Sequence, residues 1–266
     1  MEFKNTHYFG GKSGPGTYQK IINQIPVHKY YIELFGGMVG IFRHKSKAKY
    51  SFVIEPDLKL IDFYQKELDF KREWELNHFL KPLEMGGYGN YCYMGSAFDF
   101  FNHQGFSALV DRENVFIYAD PPYPLMSRKD SRPQYKYELS DDEHRELIHT
   151  LCVMSYAKVA ISTYPNELYD EEIWGKGWGD RWRRIEFESQ TRHGKATEQL
   201  WMNYEEPDQL HDYRYIGKDY RERERIARQQ RNWRRKFKDL PVIEQRAMLQ
   251  SLKTTLDPTG TYGDTS

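Results

Sequence analysis

Four neighbouring residues, Asp120-Pro121-Pro122-Tyr123, carry the plainest chemistry in the chain. A carboxylate only accepts hydrogen bonds when ionised, and neither proline has an N–H, so the backbone here is rich in acceptors and poor in donors. Each proline fixes its own φ and pushes the residue before it into the extended region, which makes the turn stiff. The Tyr123 ring adds a face for a flat partner. Such a set suits a planar heterocycle carrying an exocyclic amine: the amine donates to Asp120 and to a proline carbonyl while the ring stacks. Taken alone, the tetrapeptide reads equally well as a rigid loop after a core strand. A cofactor site elsewhere in the chain would decide.

Three stretches offer parts of such a site. Near the start, Tyr8-Phe9-Gly10-Gly11-Lys12 combines a glycine pair, which allows close backbone approach, with a lysine suited to an anionic group. Lys29 to Leu34 reads as a strand carrying Glu33, followed by Phe35-Gly36-Gly37-Met38-Val39-Gly40, a glycine turn and a helix start. The spacing is Gly-Gly-x-x-Gly, short of the dinucleotide fingerprint, so a cofactor without phosphate fits as well as a nucleotide. A second strand, Tyr50 to Ile54, ends in Glu55, about 20 positions after Gly36, where an acid accepts from ribose hydroxyls.

The elements that must hold these residues alternate. Strands at Lys29–Leu34, Tyr50–Ile54, Val115–Ala119 and Lys158–Ser162 are separated by helical periods at Tyr18 to Ile25, at Asp57 to Leu68 (Leu58, Ile61, Tyr64 and Leu68 inward) and after the capping box Ser140 to Glu143. A late hairpin, Arg184–Glu188 and Glu198–Tyr204, closes the series. That pattern predicts an α/β doubly wound, Rossmann-like sheet with an antiparallel hairpin at one edge. Segments 1–68 and 96–207 make the main domain, and 69–95, rich in glycine and tyrosine around Tyr88, a small insertion. Segment 208–253 is a basic helical arm and 254–266 a disordered tail.

Composition sets the outer bounds. The chain has 266 residues with zero formal net charge, so any polyanion contact must come from local segregation. Gly217 to Lys238 is such a place, with ten Lys or Arg against three acids, and Ile226, Trp233 and Phe237 are its expected apolar anchors. A second basic stretch, 124–138, holds Arg128, Lys129 and Arg132 beside the acceptor turn. Two cysteines without a paired spacing predict neither a disulfide framework nor a metal site. His144 and His149 stand five apart, off a common helical face. No apolar run nears the roughly 18 residues of a membrane span, and the expected location is cytoplasmic.

The ordered set Tyr8-Phe9-Gly10-Gly11-Lys12, Glu33-Leu34-Phe35-Gly36-Gly37, Ile54-Glu55, Asp120-Pro121-Pro122-Tyr123 and Glu198-Gln199-Leu200-Trp201-Met202-Asn203-Tyr204 resembles the Dam-type adenine-specific DNA methyltransferases over residues 7 to 205. The resemblance implies a domain that uses S-adenosylmethionine. Tyr8, Gly11 and Lys12 would line the cofactor pocket, together with Glu33 and Asp120. Phe35, Gly36 and Gly37 would cradle the methionine half and Glu55 the ribose. Asp120, Pro121, Pro122 and Tyr123 would hold an adenine flipped out of double-stranded DNA, with Tyr88, Arg128, Lys129, Arg132, Arg231, Arg234 and Arg235 on the nucleic acid. A cognate restriction endonuclease is a further implied partner, and no membrane or metal is. This chain departs from the family in reading Glu-Leu-Phe-Gly-Gly for Glu-Pro-Phe-Ala-Gly, in having Glu55 for Asn-Asp, and in its short recognition segment. Two alternatives stay open: a methyltransferase of the same fold acting on RNA, cytosine or a protein amide, and an inactive DNA-binding relative.

Overall fold

A computed structural model of the protein describes residues 11–14, 16–73, 88–102, 114–128, 132–154, 156–191 and 194–256. The chain divides into two units, residues 1–215 and 216–266.

The first unit is built on β1 (Tyr30–Leu34), β2 (Tyr50–Glu55) and β5 (Val115–Ala119), every residue of which is buried. Strands buried on both faces need helices on both sides, which is the condition of a parallel α/β sheet. Alternation sorts their side chains: Tyr30, Ile32 and Leu34 join one apolar cluster and Tyr31 joins another on the opposite face. α1 (Thr17–Ile22) and α2 (Gly40–His44) supply Ile21, Ile22 and Ile41 to the second cluster. α3 (Leu58–Glu67) buries Leu60, Ile61, Phe63 and Tyr64, with the Asp57 side chain capping its N-terminus. Leu58, expected to point inward, is 47% exposed because it lies in the first turn beside that cap.

β3 (Lys71–Glu73) and β4 (Gly89–Met94) come next in the chain, followed by α4 (Ala97–Phe101). After β5 run α5 (Asp141–Val153), β6 (Lys158–Thr163), α6 (Glu167–Asp170), β7 (Arg183–Thr191) and β8 (Gly194–Met202). The eight strands form one sheet in the order β3-β4-β2-β1-β5-β6-β8-β7. Pairings from β3 to β6 are parallel, while β8 runs antiparallel to both β6 and β7. This is the doubly wound, Rossmann-like sheet with an antiparallel hairpin at one edge that the sequence pattern predicts.

One boundary moves. β3 and β4 lie within the stretch 69–95 that reads as an insertion, yet β4 pairs with β2 along its whole length and buries Tyr91 and Cys92. The glycines and Asn90 at its start disguise it as a loop, and the pairing partner supplies what local propensity lacks. Residues 74–87 lie outside those described.

The order reverses between β1 and β5: from β1 the chain steps outward to β2, and from β5 it steps the other way to β6. Open α/β sheets leave a crevice at the carboxyl ends of the strands at such a switch point. Register makes it level, because Leu34 pairs with both Ile54 and Ala119, so Phe35, Glu55 and Asp120 each follow one residue beyond a common line. With strands about 4.8 Å apart, Glu55 and Asp120 stand roughly 10 Å apart across that edge.

The second unit holds α7 (Tyr220–Lys238), capped by the Asp219 carboxylate accepting from Glu222 N at 2.8 Å, and α8 (Val242–Leu256). Neither helix has a buried residue. Of the expected anchors, Ile226 and Phe237 are half-buried and Trp233 is 59% exposed. α8 also carries helix through Thr254 to Leu256, into the expected tail. Among the described residues no helix is long and apolar enough to cross a membrane.

Candidate active site

A cavity of about 250 Å³ opens at the switch point, lined by Gly11 and Lys12, by Glu33, Phe35, Gly36 and Gly37, by Glu55 and Asp57, and by Asp120, Pro121 and Pro122. Residues from four separate stretches of sequence thus meet in one place. Tyr8 and Lys129 lie outside the described residues.

The glycine turn after β1 is tightly wound and tied to β2. Phe35, Gly37 and Val39 all have positive φ, of 59°, 52° and 46°. For a β-branched residue such as Val39 this is a true outlier, and such strain, about 1–3 kcal/mol each, persists where surrounding contacts over-determine it. Those contacts are present: Gly36 N donates to Ile54 O at 3.0 Å, Gly37 N to Glu55 Oε2 at 2.9 Å, and Tyr64 OH to Gly37 O at 2.5 Å. A Cβ on Gly36 would stand 2.4 Å from Val53 Cγ1, and one on Gly40 about 3.2 Å from the Lys12 backbone. Gly36 has no room for a Cβ beside Val53 and Tyr64, and at Gly40 a Cβ would fit only tightly against the Lys12 backbone.

Glu55 accepts from two backbone N–H groups, Gly37 and, at 2.9 Å, Asp57. Its carboxyl is 3% exposed, and burial pushes its pKa up to about 7 in spite of those bonds. Glu33 accepts from Tyr31 OH at 2.7 Å and Phe42 N at 3.1 Å, and burial pushes it up to about 8. Two buried carboxyls with raised pKa values on one cavity wall form a set that gains from a cationic ligand.

At the other end Lys12, 5% exposed, places Nζ 2.8 Å from Asp120 Oδ1, 3.9 Å from Glu198 Oε1 and 2.5 Å from Tyr123 OH. Burial alone would lower its pKa, but Asp120 and Glu198 outweigh that and hold the ammonium above its ordinary range. Burial raises the Asp120 carboxyl, and Lys12 pulls it back. Tyr123 donates to Glu198 Oε2 at 2.6 Å, sets its ring edge-on to Tyr164 at 4.5 Å and is 5% exposed. It does not line the cavity. The free stacking face expected of it is absent because its hydroxyl is drawn into this polar network.

An ion pair ties residues 124–128 to residues 132–138. Arg128 donates to both Glu138 oxygens at 2.8 and 2.6 Å, and Gln134 N and Tyr135 N also bind Glu138. Arg128, expected on a nucleic acid, is spent on this clamp and is 6% exposed in its side chain. The clamp accompanies Tyr135 and Tyr137 at the cavity wall, two rings that in the sequence read only as neighbours of the basic residues. Arg132 and Tyr88 are exposed, away from the cavity lining. Arg231, Arg234 and Arg235 are exposed on α7 of the second unit.

Glu198 was legible only as part of a motif. It sits on β8 beside Gln199, which pairs with Thr163 at the end of β6, and it reaches the site through its contacts with Tyr123 and Lys12. Among the described residues no three His, Cys, Asp or Glu side chains are grouped to hold a metal ion.

No family model and no curated protein matches the chain. Similar solved structures include a proposed RNA methyltransferase from Pyrococcus horikoshii, at 12% identity over 76% of this chain and 91% of that one, with a TM-score of 0.44. A dimethyladenosine transferase from Plasmodium falciparum is 13% identical over 72% of this chain and 63% of that one, TM-score 0.42. TrmK of M. capricolum, solved with S-adenosylhomocysteine, is 9% identical over 89% of this chain and 93% of that one, TM-score 0.39. These are likenesses of chain path, and the strand order and register define the fold.

Proposed function

We propose that the protein is an S-adenosylmethionine-dependent methyltransferase acting on the exocyclic amino group of adenine in DNA. The observation that carries this reading is the meeting, in one cavity at the switch point, of the strained glycine turn, Glu55 and the Asp120-Pro121-Pro122 acceptor turn.

The donor set fits the cofactor's chemistry. Four carboxyls, Glu33, Glu55, Asp57 and Asp120, outnumber two ammoniums, Lys12 and Lys136, so the cavity favours a ligand with positive charge and hydroxyls. Glu55, fixed by two backbone bonds, would accept from ribose hydroxyls, and the turn at Phe35 to Gly37 would hold the methionine half. When bound, the cofactor supplies an electrophilic methyl group on a sulfonium. Asp120 and the Pro121 carbonyl would accept the two amino protons of adenine and, as the nitrogen lone pair becomes the new N–C bond and gains positive charge, stabilise that charge more than the ground state. One proton then leaves the nitrogen through Asp120 to water. An adenine inside a duplex must be flipped out at a cost of a few kcal/mol, which an aromatic wall offsets by roughly 1–3 kcal/mol. In this geometry Tyr135 is better placed than Tyr123 to be that wall.

The basic helix α7 would add phosphate contacts through Arg231, Arg234 and Arg235. The test is incubation with methyl-labelled S-adenosylmethionine and DNA, RNA or protein acceptors, followed by nucleoside analysis. Label in N6-methyldeoxyadenosine is expected. Label only in RNA or protein moves the acceptor class, and no label in any acceptor removes the enzyme reading.

A further inference from the structure

Asp120 has one acceptor oxygen already engaged. Lys12 Nζ sits 2.8 Å from Oδ1, so an arriving amine meets an ion pair rather than a free carboxylate. A partly buried carboxylate gives up a buried ammonium only if the ammonium has somewhere else to go, since an uncompensated buried charge is strongly unfavourable. Glu198 is that place. Its Oε1 lies 3.9 Å from the same Nζ and otherwise accepts one bond, from Ser189 Oγ at 3.2 Å. A shift of about 1 Å at Nζ would turn this contact into an ion pair of ordinary length. The Lys12 backbone is backed by Gly40, so the movement falls on the side chain. Tyr123 OH touches Lys12 and Glu198 at once and guides the ammonium between them.

We propose that Glu198 is a positioning residue that takes over the Lys12 ammonium when the acceptor amine engages Asp120. The inference rests on the reading of Asp120 as the amine acceptor. The exchange is of ion pairs only: no covalent bond changes, Lys12 stays protonated, and the carboxylate released at Asp120 becomes the acceptor that methyl transfer needs. Two acids serve one lysine because the lysine has two positions to hold.

The test is Glu198→Gln, which keeps shape and removes charge, with kcat for methyl transfer to adenine-rich DNA and the cofactor Kd measured together. A hydrogen bond to a charged group converts to about a ten- to hundredfold loss of kcat, with cofactor Kd within about twofold, and Glu198→Asp recovers most of the rate. An unchanged kcat in Glu198→Gln, failure of Glu198→Asp to recover, or a parallel loss of cofactor affinity overturns the proposal. Independently of any variant's folding, a structure of the wild-type protein with S-adenosylhomocysteine and a short adenine-containing DNA should show Nζ on Glu198 and off Asp120. Nζ remaining on Asp120 overturns it. No methyl transfer by the wild-type protein would instead defeat the underlying reading.

Discussion

Glu55 and Tyr123 show how far residue type determines role. Glu55 has both oxygens committed to backbone N–H groups and a pKa raised to about 7 by burial, so the fold holds its protonated form more tightly than the unfolded chain does. That contribution is complete below the ordinary carboxylate pKa and is lost as pH rises through about 7. The melting temperature of the ligand-free protein should therefore fall less in Glu55→Gln than in the wild type between about pH 5 and pH 8. Equal slopes would mean that Glu55 is ionised throughout. Tyr123 is a structural bridge here, so Tyr123→Phe should cost about 1–3 kcal/mol in denaturant unfolding, because Lys12 and Glu198 each lose a buried partner. Methyl transfer should persist, more weakly. Unchanged stability would free Tyr123 for the stacking role that its sequence position suggests.

At the scale of elements, the glycine turn and the strand ends matter most. Gly36→Ala should lower stability by about 1–3 kcal/mol, because its Cβ would meet Val53 Cγ1 at 2.4 Å, inside a buried strand that cannot yield. A melting temperature like the wild type's would show that the turn can relax. Much of this scale was legible in the sequence: β1, β2, β5, β6 and the terminal hairpin announce themselves by apolar runs, and the acceptor turn, glycine turn and Glu55 by their spacing from those runs. What was not legible depends on partners distant in sequence. β4 becomes a strand through β2, Arg128 is withdrawn from the surface by Glu138, and Glu198 enters the site through sheet pairing and a lysine 186 positions away.

The whole molecule is two units of opposite character, one holding the sheet and cavity, the other two helices without a buried residue and with an arginine-rich surface. A chain ending at Tyr215 should melt as the full protein does and bind cofactor equally. Its nucleic-acid affinity should fall less steeply with salt, because fewer counterions are released. An unchanged salt slope would remove α7 from the interface. The central claim is that the cavity binds S-adenosylmethionine and that Asp120 presents the amine to it. The most direct measurement is methyl transfer to DNA by Asp120→Ala, made alongside calorimetric cofactor binding. Transfer should fall at least about hundredfold while cofactor still binds. Transfer at the wild-type rate by a variant that binds cofactor normally would contradict it.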